Sequence, residues 1–114
     1  MQKDDLVYVG HMLDMARKAL TLVHGKDRAD YDRDETLKLA LVHLIQVIGE
    51  AARRVSPGFR DRYPQVPWKA IVAMRHKVVH DYMSVDEDVV WDTVRQELHP
   101  VVTSLEKIVS PDSS

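Results

Sequence analysis

The sequence has no cysteine, which excludes disulfides and thiolate metal sites and agrees with a cytoplasmic protein. It has no apolar run near the roughly eighteen residues that a membrane span requires, so no membrane association is expected. The first residues, Met1-Gln2-Lys3-Asp4-Asp5, are polar and lack the apolar core of a secretory leader. No stretch of useful length reads as a strand, and there is no internal repeat or low-complexity run. A net charge of −2 excludes a chain coated in basic residues. A phosphate-binding glycine loop and a Gly-x-Ser-x-Gly elbow are both missing.

What remains is 114 residues that are 45% hydrophobic, enough for one core and one domain spanning 1–114, with 110–114 as a frayed tail. The charges are unevenly placed. Residues 53–77 carry seven cations (Arg53, Arg54, Arg60, Arg62, Lys69, Arg75 and Lys77) against one anion, Asp61, whereas 78–114 carry two cations against eight anions. The basic middle suits a phosphate-attracting patch; the alternative is two solvated helix ends.

Apolar spacing predicts four main helices and a short extra turn in an all-α, up-and-down bundle. In 4–24, Leu6, Val9, Leu13, Ala16, Leu20 and Val23 form one stripe, and Gly25 stops the helix. Lys26 to Asp34 reads as a polar loop, with Asp34, or Asp32 paired with Glu35, as the next cap. In 35–55, Leu37, Leu41, Leu44, Ile48, Ala51 and Val55 align, while Leu39, Val42, Ile45 and Val47 widen the apolar surface. So wide a surface needs two neighbours, and a second copy of the chain is the expected one. Ser56 caps a short turn with Pro57 at its first position. Pro67 opens the third helix, 67–79, with Trp68 as a core anchor. Ser84 and Glu87 form a capping-box pattern that starts the fourth, 85–109, which Pro100 kinks or splits near Leu98.

One stretch does not fit a packing role: Arg75-His76-Lys77-Val78-Val79-His80-Asp81-Tyr82. On a wheel of about 100° per residue, Arg75 shares the direction of Trp68, Val72 and Val79. A guanidinium in an apolar stripe is costly unless paired, so its partner is either a protein carboxylate or a phosphate. Glu50 is a candidate carboxylate. Gly49 beside it costs up to about 1 kcal/mol in mid-helix relative to alanine, which implies close approach of another group there. His80 would lie about 140° from Arg75 on a continuous helix. Convergence therefore needs a break between Val79 and Tyr82, or two chains meeting.

Cleaving RNA through its own 2′-hydroxyl requires a base, an acid for the leaving 5′-oxygen and a cation for the phosphorane. Histidine, with an ordinary pKa near 6.5, suits the first two, and arginine suits the third. One His80 cannot easily be acid and base at once; two copies face to face would supply both, or His76 would be the second titrating group. A zinc site is disfavoured: His76 and His80 have i, i+4 spacing, but no third ligand is evident. No metal or other cofactor is expected. The structural alternative is a plain bundle in which Arg75 pairs with Glu50 and His80 caps a helix.

At this stretch the sequence resembles HEPN ribonucleases, specifically the HepT-like toxins of prokaryotic toxin–antitoxin systems. The resemblance covers Ile48-Gly49-Glu50-Ala51, Tyr63-Pro64-Gln65-Val66-Pro67-Trp68 and Arg75 to Tyr82. It implies a homodimeric helical bundle with the two motifs meeting in a cleft. The implied activity is a metal-independent endoribonuclease leaving a 2′,3′-cyclic phosphate, with Arg75 and His80 as the catalytic pair. His76, Lys77 and Glu50 would support them; His76 stands where Asn or Asp is common in the family. The implied partners are RNA and a nucleotidyltransferase antitoxin of the MNT type, which would transfer AMP to Tyr82 in a type VII-like system. A non-catalytic module that binds RNA or docks the nucleotidyltransferase, or the antitoxin of the pair, is the alternative.

Overall fold

The computed structural model describes residues 2–78 and 84–109. The expected tail, 110–114, and residues 79–83, which include the second half of the motif, lie outside the described residues.

Helix α1, Gln2–Val23, buries Val9, Met12, Leu13, Ala16, Ala19 and Val23. The stripe is turned slightly from the expected one, because Met12 and Ala19 belong to it while Leu6 is 43% exposed. Gly25, with φ of 74°, takes the left-handed conformation that ends the helix. Asp5 does more than complement the helix dipole. Nearly buried, it accepts from both the backbone N–H and the hydroxyl of Ser56 at 2.8 Å, tying α1 to the segment that follows Val55.

The segment 26–34 is not simply a loop. It holds a short helix, α2, Arg28–Asp32, closed by a reciprocal capping box between Asp27 and Asp30. This turn delivers Tyr31 into the core, where its ring packs on Trp91 with centroids 5.3 Å apart. The Tyr31 hydroxyl donates to Glu87, and burial followed by that bond raises the phenol well above its ordinary pKa.

Helix α3, Glu35–Arg54, is central to the bundle. Asp34 is its cap, accepting from Leu37 N–H at 3.0 Å. The two neighbours demanded by its wide apolar surface are α1 and a later helix, α5, of the same chain. What it leaves outside is chiefly Leu39, 64% exposed, so the wide surface is a weaker argument for a second copy than its residue count suggested. Its last carbonyls are capped by Arg60, which donates to Ala52 at 2.9 Å, Arg53 at 3.0 Å and Val55 at 3.2 Å. One cation of the basic middle is therefore a structural cap.

Helix α4, Pro57–Arg62, starts as expected, with Ser56 as cap and Pro57 at the first position. Helix α5 runs from Trp68 and is described through Val78. Trp68 is a core anchor whose indole N–H donates to the Tyr63 carbonyl at 3.0 Å. The buried stripe of α5 is Trp68, Ile71, Met74 and Val78, and this corrects the position of Arg75. Met74 pulls the stripe round, so Arg75 stands at its rim and not in its middle.

Asp86, not Ser84, caps helix α6, Glu87–Asp92, accepting from Val89 N–H at 3.2 Å. A π-helical turn, Thr93–Glu97, joins it to α7, Leu98–Val109. Pro100 cannot donate to the carbonyl of Gln96, and its ring crowds that oxygen. The widened turn that contains Gln96 absorbs the conflict, just before the expected break at Leu98. Helices α1, α3, α5 and the α6–α7 rod thus make the all-α bundle, with α2 and α4 as short connectors. None of the described helices is long and apolar enough to cross a membrane.

Candidate functional site

The site is built where α3 and α5 cross. Gly49 removes a side chain from the facing surface of α3, and the aliphatic stem of Arg75 occupies that space. A β-carbon at 49 would lie 3.2 Å from both Cγ and Cδ of Arg75. The stem is thereby aimed along α3 to the next residue, Glu50. One terminal guanidinium nitrogen of Arg75 donates to Glu50 Oε1 at 2.5 Å, with both side chains about one-third exposed.

Glu50 also receives Arg53 and Arg54, at the i+3 and i+4 positions of its own helix, at 2.5 and 3.1 Å. Three guanidinium groups around one carboxylate leave a local charge of +2. Hydrogen bonds from Arg53, then Arg54, and also Arg75 hold the Glu50 carboxyl down to about 2, against partial desolvation. The same bonds raise Arg53 and Arg54. Glu50 is therefore ionised throughout the physiological range.

Arg75 and Glu50 stand at the end of a groove of about 550 Å³. Its other walls carry Tyr8 and His11 from α1, and His43, Gln46 and Arg54 from α3. His76 and Lys77 are exposed on α5 and are not among the residues lining the groove. His80 and Tyr82 lie outside the described residues. The positions flanking that segment are tied together, since Asp86 N–H donates to the Val78 carbonyl at 2.9 Å. No cluster of three or more His, Asp or Glu side chains among the described residues is placed to hold a metal ion.

The structure thus brings together Arg75, Glu50 and Gly49: of the two partners left open for Arg75 it has the carboxylate, the pairing that the plain-bundle alternative also expects. It adds Arg53 and Arg54, whose spacing from Glu50 was a readable signal. It also adds Tyr8 and His43, for which the sequence carries none, because their groove is formed between two helices distant in the chain. His11 is exposed and lines that groove.

The chain is 30% identical over 105 residues to "Putative RNase TTE0752" of Caldanaerobacter subterraneus subsp. tengcongensis, covering 92% of this chain and 94% of that protein. It is 27% identical over 108 residues to "Putative RNase MJ0125" of Methanocaldococcus jannaschii, covering 95% and 93%. "Probable ribonuclease HepT" of Thermococcus cleftensis is 30% identical over 79 residues, covering 69% and 72%. No solved structure gives a significant match. The family model described as ribonuclease HepT-like matches residues 12–108, nearly the whole bundle and all of Arg75 to Tyr82, and the chain belongs to that family.

Proposed function

We propose that this protein is the toxin of a type VII-like toxin–antitoxin system, a metal-independent endoribonuclease working at a cleft between two copies of the chain in the cytoplasm. The observation that carries the reading is the seating of Arg75. A side chain with no core role is given space by Gly49, held by Glu50 and presented at a groove with net positive charge. The names of the relatives and the family support the substrate class.

In this reading His80 of one copy takes the proton of the 2′-hydroxyl, and the freed oxygen attacks the neighbouring phosphorus. His80 of the other copy protonates the leaving 5′-oxygen. Arg75 spreads its planar donors over the phosphorane oxygens, where charge accumulates. The products are a 2′,3′-cyclic phosphate and a 5′-hydroxyl end. His76 and Lys77, exposed beside Arg75, steer the backbone and help to orient it. An MNT-type nucleotidyltransferase neutralises the toxin by moving AMP from ATP to the Tyr82 hydroxyl, with the α–β anhydride of ATP broken and pyrophosphate released. The added phosphate repels RNA at a phosphate-binding site.

A second reading, a module that binds RNA or docks the nucleotidyltransferase without turnover, is favoured by one observation: Arg75 already has a carboxylate partner. Incubation of the purified protein with end-labelled RNA in EDTA separates the two. Cleavage with cyclic phosphate ends, lost in His80→Ala, supports the nuclease; RNA bound but left whole supports the module. Intact mass after co-expression with a minimal nucleotidyltransferase tests the modification, with added AMP units expected and none in Tyr82→Phe.

A further inference from the structure

The α1–α3 wall of the groove carries more than the cleavage chemistry requires. Tyr8, His11, His43 and Gln46 lie along it; the last three are exposed and Tyr8 is half-buried. On the same two helices Met12, Leu44, Ile48 and Ala51 are buried, whereas the two imidazoles are exposed and belong to no part of the core. Imidazole and phenol rings offer flat faces on which bases stack. The Gln46 amide both donates and accepts, as base edges do. Arg54 and Arg75 close one end with charge suited to phosphate.

The dimensions agree. About 550 Å³ is within the range of pockets that enclose a small ligand. From His43 to Arg54 is eleven residues of α3, about 16.5 Å of helix, or roughly five nucleotides at the stacked spacing of about 3.4 Å. A second copy of the chain is the competing occupant. The exposed large apolar side chains among the described residues, Leu6, Val7, Leu22, Leu39, Val85 and Val109, which the centre of a protein interface would use, do not line this groove, whose apolar lining is Val47 and Ala51.

We infer that the groove between α1 and α3 is a subsite for single-stranded RNA flanking the scissile phosphate. Tyr8, His11 and His43 stack on bases, and Arg54 meets the phosphate next to the one that Arg75 grips. This rests on the ribonuclease reading above.

The test measures initial cleavage rates and binding of a fluorescein-labelled single-stranded RNA to the full chain in EDTA. The double variant His11→Ala/His43→Ala raises KM and Kd about tenfold, with kcat within about twofold, and with Tm and sedimentation unchanged. The variant His11→Phe/His43→Phe, which keeps the rings, returns KM to near the parental value. Parental KM in the alanine double variant overturns the subsite while leaving the nuclease standing. So does dissociation of an oligomer by that variant, which gives the groove to a second copy. Parent protein that neither binds nor cleaves RNA overturns the ribonuclease reading, and the subsite with it.

Discussion

The stem of Arg75 lies across Gly49, so that a β-carbon at 49 would meet Arg75 Cγ and Cδ at 3.2 Å and the Ile71 carbonyl oxygen at 3.4 Å. The close neighbours are flexible methylenes, which can give by a few tenths of an ångström; the backbone oxygen is at ordinary contact. Gly49→Ala therefore costs little in packing and gains up to about 1 kcal/mol of helix propensity. Its cost falls on the aim of the guanidinium. Urea unfolding is expected to show unchanged or slightly higher stability, while kcat/KM for RNA cleavage falls about tenfold or more.

Glu50 is held down to about 2 by Arg53, Arg54 and Arg75, below the roughly 4.3 of a free glutamate. A carboxylate depressed on folding stabilises the protein above its unfolded pKa, and that contribution fades as pH falls through the folded one. The gap in Tm between parent and Glu50→Gln is thus full above about pH 4.5 and closes toward about pH 2. Across about pH 5–8, where histidine titrates, Glu50 does not change charge. The Glu50→Gln pH–rate profile keeps its shape and loses height.

Much of this was legible in the sequence, for definite reasons. Apolar repeats mark α1, α3 and α5 because α1 and α5 each bury one stripe and α3 buries a wider face against both. Gly49 was legible because a mid-helix glycine needs a cause, and Pro100 because a proline cannot continue a hydrogen-bond ladder. The five-residue α2 was not, since so short a helix shows no period; its one signal was Asp27 and Asp30 at capping-box spacing. The seat of Arg75 was misplaced because Met74 was left out of the stripe. Tyr8 and His43 meet only through the tertiary packing of α1 on α3, which spacing within one helix cannot reveal.

Tyr31 is fully buried and donates its hydroxyl to Glu87, linking α2 to the start of α6. Tyr31→Phe keeps the ring on Trp91 and removes only that bond. Loss of a hydrogen bond to a charged group costs about 1.5 kcal/mol, measurable by denaturant unfolding.

Asp5, 3% exposed, accepts from both donors of Ser56, its backbone N–H and its hydroxyl. Asp5→Ala leaves the α4 cap without its partner and costs about 2 kcal/mol. Asp5→Asn, which keeps one acceptor, loses less in the same unfolding experiment.

The most direct test of the account is the rate of RNA cleavage in EDTA by Arg75→Ala relative to the parent, with circular dichroism on both. A guanidinium placed over the phosphorane predicts a loss of at least about a hundredfold with the helical signal intact. Parental cleavage by a folded Arg75→Ala protein would contradict it, and would leave the pairing of Arg75 with Glu50 as a structural contact alone.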